Sequence, residues 1–181
     1  EDSSDDNVLL NNTATHNTAG GFGMEGARNT LIGNTASFNG GSGFVSVGEG
    51  DSRFIGNWAE GNSIGFDTGD DFRTEYSGNT AQQNTLAGFV IDSGKRLTVH
   101  DNVARANGGD GFRIDSGIFQ KQELFNNYAI NNGGHGIHVL PQLSPITRLT
   151  GNTALGQHAP FFDLADENPG CRAKTAWREN T

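Results

Sequence analysis

Six residues between positions 92 and 138 carry side chains suited to proton transfer and anion binding: Asp92, Asp110, Arg113, Asp115, His135 and His138. A carboxylate or a neutral imidazole can take a proton from a bound substrate. A guanidinium beside it can pair with an anionic group through two parallel hydrogen bonds. Lys121 adds a cation nearby in sequence, and Trp58 offers an aromatic surface for stacking. Asp67, Asp70 and Asp71 supply hard oxygen ligands of the kind calcium takes. Each group also has a plainer reading, because charged side chains gather on solvated, ion-paired faces. Which reading holds depends on whether the fold brings these separated stretches together.

Composition first argues against any compact core. Leu, Ile, Val and Phe number 39 of 181 residues, close to the level of chains that stay disordered, and the net charge is −9. Gly and Asn are abundant, and both disfavour ordinary helices and strands. A single cysteine, Cys171, excludes an internal disulfide framework. The acidic balance argues against a nucleic-acid partner, which needs a basic face. No apolar run approaches the length of a membrane span.

Regular repetition reverses the first impression. One asparagine recurs as Asn12, Asn34, Asn57, Asn79, Asn102, Asn127 and Asn152, at steps of 22 to 25 residues. A second column is Asn17, Asn39, Asn62, Asn84, Asn107 and Asn132, with Gln157 in the seventh place. Alanines follow the first column by two positions, from Ala14 to Ala154. A Gly-apolar pair closes each unit, from Gly21-Phe22 to Gly136-Ile137, and an apolar column from Leu9 to Leu149 precedes the first asparagines. The Leu-x-x-Leu-x-Leu frame of leucine-rich repeats is absent. The pattern predicts an all-β chain: a single-stranded, right-handed parallel β-helix of about seven coils. A solenoid needs few large apolar residues because each coil shares its thin core with its neighbours. Stacked asparagines can hydrogen-bond along the axis, and asparagine tolerates the left-handed backbone of a tight corner. Two Asn ladders are therefore expected to pin two corners of each coil.

The same register sorts inside from outside. With each Phe inward, the next residue faces out, giving Asp67, Val90, Arg113 and His138; two positions on come Asp92 and Asp115. Rungs about 5 Å apart then gather Asp92, Asp110, Arg113, Asp115, His135 and His138 on one face. This face reads either as a ligand groove, with His or Asp as base and Arg113 pairing with an anionic group, or as a solvated, salt-bridged surface. A basic column, Arg28, Arg73, Arg96 and Lys121, with Arg53 offset, reads as surface ion pairing between coils. Trp58 and Tyr128 fall in an outward column otherwise rich in threonine.

The pattern Asn-Thr-Ala-x-x-Asn-x-x-x-Gly-Phe resembles the right-handed parallel β-helix repeat proteins, a group that includes NosD-like periplasmic proteins, pectate-lyase-like lyases and mannuronan C5-epimerases. The resemblance spans residues 8–165. The ending from Asp163 through Cys171, Trp177 and Asn180 resembles that of bacterial members, whereas the Asp-Pro-His motif of the epimerases is absent. It implies a secreted, cell-surface or periplasmic protein that binds or processes an acidic polysaccharide, as a lyase or epimerase. No cofactor is expected to be required; calcium held by Asp67, Asp70 and Asp71 is the one candidate, and it comes from those residues, since the calcium and arginine signature of pectate lyases has no clear match here. The other expectation is a non-catalytic structural or adhesive module of a larger or self-associating protein. Residues 1–7 are expected to be a polar, trimmed N-terminal end that leaves the first coil open to self-association. Residues 8–158 are expected to form the coils, and residues 159–181 a capping tail. The lengthened loops around Gly117–Gln122 and Leu140–Ile146 are expected to flank the site.

Overall fold

A computed structural model describes residues 5–69, 71–92, 96–115, 121–141, 147–168 and 175–181. Asp70 and most of the two lengthened loops lie outside these residues. The chain winds into three parallel sheets of eight, seven and seven strands, each ordered along the axis by coil. The first sheet runs from Val8–Leu10 to Thr175–Arg178, the second from Thr13–Thr15 to Thr153–Leu155, and the third from Phe22–Ala27 to Leu164–Asp166. No described residue is helical, so no helix here is long and apolar enough to cross a membrane.

Identical positions stack in register. Phe22, Phe44, Phe66, Phe89 and Phe112 lie face to face, with ring centroids 4.7–5.0 Å apart, the offset-stacked range that favours aromatic pairs. Opposite them, Leu31, Phe54, Tyr76, Val99, Leu124 and Leu149 fill the core at 1% exposure or less. The Gly and Ala columns explain each other. A Cβ at Gly65 would lie 2.6 Å from the Cβ of Ala81 and 2.5 Å from the Gly88 carbonyl oxygen. The same conflict recurs at Gly88 with Ala104 and at Gly111 with Ala129. Wall and corner touch there, one rung apart, and only hydrogen and methyl fit.

Both Asn ladders form. Asn57 Oδ1 accepts the Asn34 backbone N–H at 2.9 Å and Asn34 Nδ2 at 3.0 Å, while Asn57 Nδ2 donates to the Leu31 carbonyl at 2.9 Å and to Asn79 Oδ1 at 3.0 Å. Each interior amide is thereby satisfied at both ends, as full burial requires. The expected reason for asparagine needs correction. The left-handed residue is the one before each ladder asparagine: Asn11, Gly33, Gly56, Gly78, Asp101, Asn126 and Gly151 at one corner, and His16, Phe38, Gly61, Gln83, Ala106 and Asn131 at the next. Asparagine is selected for the hydrogen bonds its buried amide makes, while its neighbour makes the turn.

A third corner has the same construction with mixed residues. Its left-handed column is Asp6, Arg28, Asp51, Arg73 and Arg96. Here the Asn29 N–H donates to Ser52 Oγ at 3.1 Å, and the Leu97 N–H to Gln122 Oε1 at 2.6 Å. The described tail adds further rungs. Leu164–Asp166 pairs with Ile137–Val139, Thr175–Arg178 pairs with Thr147–Thr150, and Asn180 Oδ1 extends the first ladder by accepting the Asn152 N–H at 2.9 Å.

Candidate functional site

The third sheet places Val90, Arg113 and His138 side by side on successive rungs, with Asp67 below and Ala165 above. Alternation along these strands turns Phe112 and Ile114 inward and Arg113 outward, and does the same for Ile137, Val139 and His138. Arg113 clamps Asp115 through two parallel bonds, Nε to Oδ1 at 2.8 Å and Nη2 to Oδ2 at 2.9 Å. This pairing raises the Arg113 pKa, with burial working against it. Asp67 shares the field of Asp92, Arg113 and Asp115, and burial holds its carboxyl above the usual range.

At the next rungs, His138 sits between two carboxylates. Nδ1 lies 2.8 Å from Asp110 Oδ2 and Nε2 lies 3.0 Å from Glu167 Oε1. The Asp110 bond is the main cause of a raised His138 pKa, opposed by burial and reinforced by Glu167. Burial pushes Asp110 upward, but the bond from His138 and the His135 backbone N–H at 2.7 Å outweigh it and hold the carboxyl below its ordinary value. Both ring nitrogens of His138 thus face acceptors, which suits an imidazolium that donates rather than a base that accepts. His135 packs its ring 4.4 Å from that of His138, and its Nδ1 accepts the Phe162 N–H at 3.0 Å. An open groove of about 280 Å³ runs beside this cluster. Leu86 and Phe161 form its apolar walls, Gly109 and Gly134 contribute backbone, and Asp110 and Arg113 are its charged members.

The fold therefore gathers Asp67, Asp92, Asp110, Arg113, Asp115, His135 and His138 on one face. The other expected residues lie elsewhere. Lys121 pairs with Glu123 of the first sheet, and Trp58 starts a strand of the second, its Nε1 donating to Glu60 Oε2 at 3.2 Å. Different walls of the solenoid carry these two and Asp110. The aspartates expected to hold calcium are also separated. Asp67 faces out, whereas Asp71 is 1% exposed and accepts hydrogen bonds from the Phe72 N–H, Thr74 Oγ1 and Tyr76 OH. Asp70 lies outside the described residues. Among the described residues, no three His, Cys, Asp or Glu side chains converge as metal ligands. Two members of the basic column pair between coils as expected, Arg28 with Asp6 and Arg73 with Asp51, whereas Lys121 pairs within its own coil.

Glu167, Phe161 and Leu86 belong to the site and were not singled out by sequence. The only signal for Glu167 was register: Leu164 continues the Phe column, so Glu167 occupies the outward place that Asp92 and Asp115 hold in earlier coils. Leu86 stacks in register with Gly109 and Gly134, a column in which no shared residue type marks it out.

No curated protein sequence matches the chain. Among solved structures, a double mutant of the periplasmic alginate epimerase AlgG is similar, with a TM-score of 0.71 at 12% identity, covering 96% of this chain. The chain spans about half the length of that protein, 50%, and the likeness is one of fold. The family model described as the right handed beta helix region matches residues 2–154. Parallel sheets, stacked core columns and this match together establish that the chain belongs to the right-handed β-helix family.

Proposed function

We propose that this is a carbohydrate-active β-helix whose glycan groove lies along the third sheet, between Phe161 and the Arg113–His138 rungs. The observation that carries this reading is the joining of an apolar-walled groove to a hydrogen-bonded acid–base cluster, Asp110–His138–Glu167. Pockets with apolar walls and a few convergent polar groups are the usual form of small-ligand sites. The structural likeness to a periplasmic alginate epimerase supports a glycan ligand and a location outside the cytoplasm by analogy of fold alone.

Lyase or epimerase chemistry on an acidic polysaccharide requires a base and a cation beside the substrate carboxylate. Arg113 would have to exchange Asp115 for that carboxylate, and the base would be a residue other than His138 in its present pairing. Because Arg113 and His138 are both engaged, glycan binding without chemistry is the second reading. Incubating the chain with polyuronates and neutral polysaccharides distinguishes the two. New ultraviolet absorbance from an unsaturated product, or a changed uronate composition, supports catalysis. Binding weakened by Phe161→Ala without product supports the binding module. No binding of any glycan refutes both.

A further inference from the structure

The groove has a fixed length as well as a lining. At the turn that leads from the second sheet into the third, one column of residues stacks from coil to coil through backbone hydrogen bonds. It begins with the small residues Ala19, Gly41 and Ser63 and continues as Leu86, Gly109 and Gly134. The neighbouring column runs Ala87, Asp110, His135 and Phe162, each accepting through its carbonyl oxygen a glycine N–H of the coil before. Phe161 precedes Phe162 as Gly134 precedes His135, and so closes the first column. Leu86, 54% exposed, and Phe161, 43% exposed, thus stand at the two ends of a pair of bare rungs. A side chain cannot fill either rung: a Cβ at Gly109 would lie 2.4 Å from the Leu86 carbonyl oxygen, and one at Gly134 would lie 2.4 Å from Asp110 Oδ1. Gly108 and Gly133 widen the same floor, and Asp110 and Arg113 border it. Packing leaves Leu86 a free choice, since the same column carries alanine, glycine and serine in earlier coils and the leucine side chain is more than half exposed.

We infer that the groove holds a unit of two sugar rings lying along the solenoid axis, and that Leu86 sets this length. This rests on the glycan reading above and deepens it to a size class. Rungs are about 4.8 Å apart, close to the rise of one pyranose in an extended 1,4-linked chain, so each bare rung seats one ring. Leu86 and Phe161 are three rungs apart, about 14 Å between backbones, and their side chains fill the two ends of that span. They abut the outer edges of the sugar pair, while Asp110 and Arg113 meet its hydroxyls from the side. A third ring would have to climb over one end wall, which lifts its neighbours from the floor and loses contacts already made. Affinity should therefore saturate at two sugars instead of growing with chain length.

Calorimetry on the intact chain tests this with two 1,4-linked series, oligogalacturonates and cello-oligosaccharides, each from the monosaccharide to the hexasaccharide. In whichever series binds, the disaccharide is expected to bind at least about tenfold more tightly than the monosaccharide, with less than about twofold further gain up to the hexasaccharide. Leu86→Gly lengthens the bare floor by one rung. It should raise the ratio of trisaccharide to disaccharide affinity at least about fivefold, with a melting temperature within a few degrees of wild type. Leu86→Ala should move the ratio the same way by less, and serves if glycine impairs folding. Loss of a simple apolar contact would weaken every length alike and leave the ratio unchanged. That result overturns the length inference, as does wild-type affinity that climbs steadily to the hexasaccharide. Either one leaves the glycan groove standing if Phe161→Ala weakens the binding seen. Failure of both series to bind overturns the length inference and the glycan reading together.

Discussion

Replacing Asn84 with alanine removes one link from the middle of a ladder. Asn84 Oδ1 accepts the Asn62 N–H at 2.9 Å and Asn62 Nδ2 at 3.3 Å, and its Nδ2 donates to the Ala59 carbonyl at 3.3 Å and to Asn107 Oδ1 at 2.9 Å. The residue is 1% exposed, so water cannot replace these partners without entering the wall. The Asn62 N–H loses its buried partner outright, at about 1–3 kcal/mol, whereas Asn107 Oδ1 keeps the Asn84 N–H and Asn62 Nδ2 keeps the Ala36 carbonyl. With the weaker loss of its other amide bonds added, Asn84→Ala should cost about 2–4 kcal/mol. Asn12→Ala is the matched control. Asn12 heads the other ladder and is exposed, and among the described residues its amide donates to Asn34 Oδ1 and to the Leu10 carbonyl. Its loss should cost about 1 kcal/mol or less. Urea unfolding followed by circular dichroism measures both, with the slope checked for loss of cooperativity, since repeat arrays can unfold in parts. Equal costs at the two positions would refute the view that buried, two-ended amide bonding is why asparagine recurs.

Three further outcomes follow from the same geometry. Gly65→Ala should destabilise by about 1–3 kcal/mol through overpacking, because its Cβ would meet backbone and Ala81, whereas Gly23→Ala meets nothing within 4 Å and should be neutral or stabilising in thermal melts. Ala106→Gly should be neutral or stabilise by up to about 1 kcal/mol, because Ala106 holds a φ of 52°. A loss typical of strand glycine in denaturant unfolding would contradict that. His138 has a folded pKa above its unfolded value, so its contribution to stability is full below about pH 6.5 and is lost as pH rises through the folded pKa. Wild type should lose stability relative to His138→Gln across that window in melts at stepped pH. A pH-independent difference would show that the Asp110 and Glu167 bonds do not favour the charged ring.

The solenoid was legible because its rules repeat. The Phe, Ala and Asn columns each report one steric or hydrogen-bonding demand made once per coil, and their register alone placed Arg113 beside His138. Features met once per molecule left no such trace. Ser52, Thr74 and Gln122 do at the third corner what asparagine does at the others, with side chains too varied to align. The pairing of Arg113 with Asp115, and of His138 with two carboxylates, depends on side-chain direction within a face that the sequence marks only as outward. Asp71 shows the reverse error: its neighbours Asp67 and Asp70 suggested a ligand cluster, but its carboxylate turns inward to Thr74 and Tyr76. Trp58 and Lys121 were attractive as residue types, and the sheet that carries each removes it from the groove.

The central claim is that glycans bind along the third sheet beside Arg113 and His138. Nuclear magnetic resonance of labelled protein, titrated with polyuronate and neutral oligosaccharides, tests it residue by residue. Shifts should be confined to the side chains of Arg113, His135 and His138 and to the ring of Phe161, with Trp58 and Tyr128 unmoved. Shifts centred on Trp58 and Tyr128, with Arg113 and His138 silent, would move the binding face to the second sheet and contradict it.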